Sequence, residues 1–253
     1  MNSLMNSLSR LACTVSLAAL ATTACSSSDK PSSTAASTSS TNPTPSLARG
    51  ARVVVRGDAT LDGAPVNSKW VGAVVLDHGL VTPCQVTLPP VQDGKYSVGL
   101  YDATESAGCG APGTRVALWI FARNRYVYSS NTAAWPSAGG PVSLDATYSA
   151  AEPLGATPAV AQFQGGAFAA DGSELSAGTR VEAYVGKTRC GVASVRSTQD
   201  FKGYILSVVG PDAIAGCTRG APIAFRLDGK PATPTDVPNT PPGRDRALDL
   251  KVA

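Results

Sequence analysis

The stretch from Arg180 to Phe225 decides the fold. It reads Arg180-Val-Glu-Ala-Tyr-Val185, then Cys190-Gly191, then Lys202-Gly203-Tyr204-Ile-Leu-Ser-Val208, then Ala215-Gly216-Cys217, then Gly220-Ala-Pro-Ile-Ala-Phe225. Val181, Ala183 and Val185 share one face of an extended chain, and Arg180, Glu182 and Tyr184 share the other. That period of two predicts a strand with one buried side. Two further strands follow, punctuated by the cysteines and by turn glycines.

Earlier in the chain the same order returns. Gly72-Ala-Val-Val-Leu76 leads to Cys84, Gly94-Lys-Tyr96-Ser-Val98 leads to Gly108-Cys109, and Gly113 leads to Val116-Ala-Leu118. Cys190 matches Cys84, Tyr204 matches Tyr96, Cys217 matches Cys109 and Phe225 matches Leu118. Asp171-Gly172 matches Asp62-Gly63, and Leu248-Asp249 matches Leu144-Asp145. Shared residue types in shared order predict an internal duplication.

Around these anchors the first copy reads as seven short strands. They are Arg52–Arg56, Trp70–Leu76, Cys84–Leu88, Tyr96–Tyr101, Val116–Phe121, Tyr126–Tyr128 and Val142–Tyr148. Asp93-Gly94 is the strongest hairpin signal among them. Short strands at turn-punctuated spacing predict a β-sandwich. The Pro/Thr-rich run Pro231–Arg244 and the Trp135-Pro136 region are expected to be long loops before each closing strand. The expectation is an all-β chain of two tandem Ig-like or transthyretin-like sandwiches. The first spans 51–149, a Pro/Gly linker spans 150–159, and the second spans 160–253. So short a linker leaves the two units touching.

The N-terminus reads as an address. Residues 1–24 carry one charge, Arg10, then an apolar run, Leu11–Ala24, too short for a comfortable membrane span. Thr22-Thr23-Ala24-Cys25 closes it. Here the chain resembles a bacterial lipoprotein, although Thr22 stands where such signals carry Leu or Val. The resemblance implies cleavage before Cys25 and acylation there, giving a membrane anchor. Residues 25–50 are Ser/Thr/Pro-rich and read as a disordered tether.

Two of the 6 cysteines, Cys13 and Cys25, belong to this leader. The other four allow three pairings, and the repeat favours Cys84–Cys109 with Cys190–Cys217. An exported chain meets the oxidising space in which such bonds persist.

The Asp-Gly turn, the strand of alternating small and large residues and the Gly-Tyr strand start resemble transthyretin-like, carboxypeptidase-regulatory-like modules of bacterial surface proteins. The resemblance covers 160–252 and, more weakly, 57–148. It implies a sandwich that serves as a spacer, stabilising attachment or adhesion unit, with no catalytic residues to carry over.

Little in the residues points to chemistry. The chain has 1 histidine, His78, which removes most His-based metal and acid–base chemistry. Asp77-His78 precedes Gly79 and reads as a solvated turn. Asp58, Asp62, Asp93 and Asp102 carry Ca²⁺-ligand chemistry, but Asp-Gly pairs are ordinary turn formers. No Gly-x-Ser-x-Gly elbow or phosphate-binding loop occurs. A net charge of +3 makes no case for nucleic acid.

The reading is therefore an exported, lipid-anchored, non-catalytic surface module without cofactor or metal, with a structural, adhesive or scaffold role. The alternative is a carbohydrate- or other ligand-binding lipoprotein that uses the first copy's aromatics, with a glycan or protein ligand at the cell surface. Among Trp70, Trp119, Trp135, Tyr126 and Tyr128, the candidates are Trp135, Tyr126 and Tyr128. Trp135 is expected to be exposed, since it sits in a Ser/Gly/Pro loop.

Overall fold

The computed structural model describes residues 53–137, 140–198, 201–240 and 246–253. The leader, the acylation of Cys25 and the tether lie outside the described residues. Every regular element among the described residues is a strand, and the strands form two tandem sandwiches.

In the front sandwich, Val53–Leu61 is the hub of one sheet. Lys95–Leu100 runs antiparallel to it, while Gly140–Ser143 and Ala146–Tyr148 run parallel. The facing sheet has the order Leu80–Pro83, Val71–Asp77, Arg115–Ala122, Arg125–Tyr128. In the back sandwich, Val160–Gly165 lies between Lys202–Val209 and Arg246–Ala247. Its facing sheet has the order Ala167–Phe168, Leu250–Val252, Lys230–Pro238, Pro222–Leu227, Arg180–Val185, Thr188–Ser194.

The residues paired by the sequence repeat occupy equivalent places. Tyr96 Oη donates to the Leu144 carbonyl, and Tyr204 Oη donates to the Leu248 carbonyl at 2.7 Å. Asp145 Oδ1 accepts from Asp58 N at 3.0 Å, and Asp249 Oδ1 accepts from Gly166 N at 2.7 Å. Each tyrosine thus pins its closing segment to its own strand, Lys95–Leu100 or Lys202–Val209, and each aspartate ties that segment to the first strand or the residue just after it. The same device splits the single strand expected over Val142–Tyr148 into Gly140–Ser143 and Ala146–Tyr148. The chain steps at Leu144-Asp145 to make these side contacts. Cys84–Cys109 and Cys190–Cys217 are disulfide-bonded, with separations of 25 and 27 residues.

Two further expectations are corrected. The strand placed at Cys84–Leu88 lies instead at Leu80–Pro83. His78 and Gly79 both take positive φ (47° and 86°), so the chain folds straight back and pairing starts at Asp77↔Leu80. A two-residue turn of this hand matches the twist of the strands it joins. Cys84 N still donates to Ala73 O at 3.0 Å; the chain then leaves that ladder, and Gln85 bridges to Leu100 in the other sheet. The second correction is Lys230–Pro238, expected as loop and observed as a strand. Asp228-Gly229 is another two-residue turn with φ of 48° and 78°, and it starts the ladder at Leu227↔Lys230. The register shifts between Ile223 and Phe225, so Pro234 falls in the bulged stretch between Ala232 and Val237. A proline is harmless there, because it owes no ladder hydrogen bond.

The packing joins the two sandwiches. On Val71–Asp77 the side chains of Val71, Ala73 and Val75 fill the front core. On the opposite face, Val74 packs with the back core, as do Val81, Ala117 and Trp119. The two central strands of the front sheet, Val71–Asp77 and Arg115–Ala122, are thus buried on both faces over Val71–Val75 and Val116–Ile120, which is why those stretches read as apolar runs. Polar contacts complete the seam. Arg196 Nη2 donates to the Pro83 carbonyl, and Arg196 Nη1 donates to Gln85 O at 3.3 Å. Its guanidinium also lies 5.1 Å from the Tyr101 ring centroid. Burial pushes the Arg196 guanidinium down to about 10, still charged at neutral pH. Ala107 N donates to Ser194 Oγ at 2.8 Å. The linker is also tied down, since Tyr128 N donates to Pro153 O at 2.7 Å and Ala156 N to Ser129 O at 2.9 Å.

Candidate ligand-binding site

Trp135 does not sit where its loop suggested. It is buried, at 7% exposure, within the front core. Ala133–Ala134 pairs with Arg115–Ala122, and Trp135 N donates to Thr114 O at 2.8 Å, which draws the ring inward. The ring lies over Gly110, where an added Cβ would come within 2.0 Å of it. The expectation of an exposed Trp135 is therefore corrected.

Tyr126 is exposed and Tyr128 half-buried. Tyr126 belongs to an aromatic band that runs across the Arg115–Ala122 and Arg125–Tyr128 strands. Trp70 and Phe121 have ring centroids 6.2 Å apart, Phe121 and Tyr126 5.6 Å, and Trp119 and Tyr126 5.0 Å. The last two pairs are edge-on, an arrangement favoured by the ring quadrupoles. Trp70, Phe121 and Tyr126 are exposed, at 36%, 37% and 40%. Lys69 Nζ stands 4.7 Å from the Trp70 ring centroid. Trp119 lies flat over Gly72, its cross-strand partner, where an added Cβ would fall 2.2 Å from the ring.

Beyond Tyr126 the band runs into a groove of about 100 Å³ between the two sandwiches. The front side supplies Tyr126, Tyr128 and Leu88, and the back side supplies Gln162, Gln164 and Ile205. Gln162 and Gln164 point outward because Phe163, between them, points into the back core. Gln85 lines the floor, at 7% exposure, and its Oε1 has no hydrogen-bond partner among the described residues. A buried acceptor without a donor costs free energy and calls for an explanation.

The remaining polar candidates do not assemble. The His78 side chain is 97% exposed in its turn, 3.6 Å from Asp77. Asp58 pairs with Lys95 and Asp62 with Arg123. Asp102 Oδ1 accepts from Thr104 N at 2.9 Å, as a loop cap. Among the described residues, no group of three or more His, Cys, Asp or Glu side chains is placed to hold a metal ion.

Sequence reasoning named Tyr126 and Tyr128 but missed Gln85, Leu88, Phe121, Gln162 and Gln164. The alternation in Gln162-Phe163-Gln164 was the available signal for the two outward amides. Nothing local marks Gln85, whose setting comes from the back sandwich.

No protein-family model matches the chain, and no curated protein matches it. The chain is similar to the solved Bacillus anthracis TIE protein at 6% identity and a TM-score of 0.22, over 79% of this chain and 34% of that one. It thus spans about a third of that protein. The shaft pilin SpaA from Lactobacillus rhamnosus GG is similar at 10% identity and a TM-score of 0.21, over 79% and 96% of the two chains. Likeness of this degree carries no argument about function.

Proposed function

We propose that this protein is an exported, non-catalytic surface module, anchored in a membrane through acyl chains on Cys25 and serving as a scaffold or adhesive unit. The observation that carries the reading is the pair of disulfides, one closed within each sandwich. Such bonds persist in oxidising compartments and are rare where thiols are kept reduced. The Thr22-Thr23-Ala24-Cys25 signature supplies the anchor, and the buried seam gives a rigid body of the kind a scaffold needs. Two acyl chains make anchoring stable where a single chain does not. Metabolic labelling with a palmitate analogue tests the proposal. The full chain should take up label and partition into detergent, and Cys25→Ser should abolish both. An unlabelled, water-soluble wild-type protein would refute it. A second reading, ligand recognition on the front sandwich, is favoured by the exposed band of Trp70, Phe121 and Tyr126. Contiguous exposed apolar surface of this kind marks binding sites more often than idle surface.

A further inference from the structure

We infer that the groove between the two sandwiches, with the aromatic band that leads into it, binds a neutral oligosaccharide. The inference rests on the ligand-recognition reading and names the ligand class.

Three observations converge. The first is the unpartnered Oε1 of Gln85, buried on the groove floor. It accepts hydrogen bonds and donates none, so a ligand that satisfies it must bring an O–H or N–H. The second is the pair of outward amides, Gln162 and Gln164, on the facing wall. Each offers both a donor and an acceptor, the combination that reads hydroxyl groups. The third is the run of rings from Trp70 through Phe121 to Tyr126. Flat rings cover the C–H faces of pyranoses, burying apolar area without a charge partner.

The same observations separate this ligand from others. Among the described residues the groove lining contains no Asp, Glu, Lys or Arg, so the groove itself has no charge to pair with an acidic sugar or a phosphate; the cation on the band, Lys69, lies against the Trp70 ring at the end away from the groove. A proline-rich peptide also docks on aromatic grooves. A proline run presents carbonyl acceptors and no backbone N–H, so it leaves the Gln85 acceptor unsatisfied. At about 100 Å³ the groove is below the roughly 300–1,000 Å³ of sites that enclose a drug-sized ligand. It seats part of a chain, and the remainder lies along Phe121 and Trp70. The site needs both sandwiches, since Gln85 and Tyr126 come from the front and Gln162 and Gln164 from the back.

The test is an array of neutral gluco-, manno-, galacto- and N-acetylglucosamine oligomers, with sialylated and sulfated glycans and a polyproline peptide beside them, probed with the full chain. Wild type should bind at least one neutral series and should not bind the acidic glycans or the peptide. Tyr126→Ala and Gln162→Ala should each lower the affinity for that series by about tenfold. Gln85→Met is the sharper variant, because it removes an acceptor that has no partner among the described residues. It should raise the melting temperature while lowering affinity by about tenfold, opposite signs that a purely structural residue would not give. Trp135→Phe, in the front core, should leave binding unchanged. Binding of the peptide alone would overturn the sugar and leave ligand recognition standing. Absence of any binding would overturn both. Neutral-glycan binding that survives Tyr126→Ala and Gln85→Met would place the sugar elsewhere and overturn this site.

Discussion

Ala117 and Trp119 in the front sandwich hold the same repeat positions as Ala224 and Arg226 in the back. The registers make this explicit, since Leu118 lies opposite Ala73 and Phe225 lies opposite Ala183. Yet Ala117 is fully buried and Trp119 is 9% exposed, while Ala224 and Arg226 face solvent. Gly72 opposite Trp119 becomes Glu182 opposite Arg226. On the back sheet Glu182 takes Arg180 at 2.9 Å and Arg189 at 3.3 Å, and Arg226 lies 4.8 Å from the Tyr184 ring centroid. One copy has turned its outer face into an apolar seam, and the other keeps it charged. The difference teaches that the duplicated fold fixes which face is inner, while the outer residues decide which copy is covered.

The sharpest way to break the comparison is to place one charge at both positions. Ala117→Lys should cost about 3–5 kcal/mol, because the ammonium is buried without a partner. Ala224→Lys should stay within about 0.5 kcal/mol. Urea denaturation of the two variants measures the gap, and equal losses would remove the seam. Next in size are the disulfides. With loops of 25 and 27 residues, replacing either cysteine pair by serine should cost on the order of 3 kcal/mol. The two losses should be nearly equal, because the braces are equivalent parts of the repeat, and a loss confined to one pair would end that equivalence.

Smaller still are the tyrosine pins. Tyr96→Phe and Tyr204→Phe should each cost about 1 kcal/mol by removing one hydrogen bond to a carbonyl. The same phenols set the response to alkali. Burial, first of all, holds Tyr96, Tyr148 and Tyr204 above the ordinary value of 10.0. A phenol whose folded value is raised stabilises fully below the unfolded value and loses that contribution as pH rises. Arg196, lowered to about 10, works the other way, as one group against three. Stability should therefore hold up to about pH 10 and fall beyond it. Tyr96→Phe/Tyr148→Phe should flatten that fall more than Tyr204→Phe does, read as urea midpoints against pH.

Much of the architecture could be read from short-range chemistry. The disulfides followed from the spacing of matched cysteines. The inner faces followed from alternation in Val181, Ala183 and Val185. Hairpins at Asp-Gly pairs followed from turn geometry, although Asp228-Gly229 was overshadowed by the prolines after it. What escaped was long-range. Trp135 looks like a loop residue until Ala133–Ala134 joins the sheet and carries it over Gly110. Gln85 looks like any polar residue on an alternating stretch until Arg196, 111 residues later, packs against its carbonyl. The candidate groove spans the two copies, so neither copy's sequence announces it. Beyond Tyr126 and Tyr128, named from their place among the first copy's aromatics, Gln162 and Gln164, fixed outward by Phe163, could have been placed beforehand.

A seam in which Val74, Val81, Ala117 and Trp119 pack into the back core predicts that the two sandwiches unfold as one cooperative body. All 3 tryptophans, Trp70, Trp119 and Trp135, lie in the front copy, so their fluorescence reports on that half while far-UV circular dichroism reports on both. Urea unfolding of the full chain should give coincident midpoints by the two probes, with calorimetric and van't Hoff enthalpies equal. A fluorescence transition complete before the circular dichroism signal has half changed would show the front sandwich unfolding alone, and would contradict the seam.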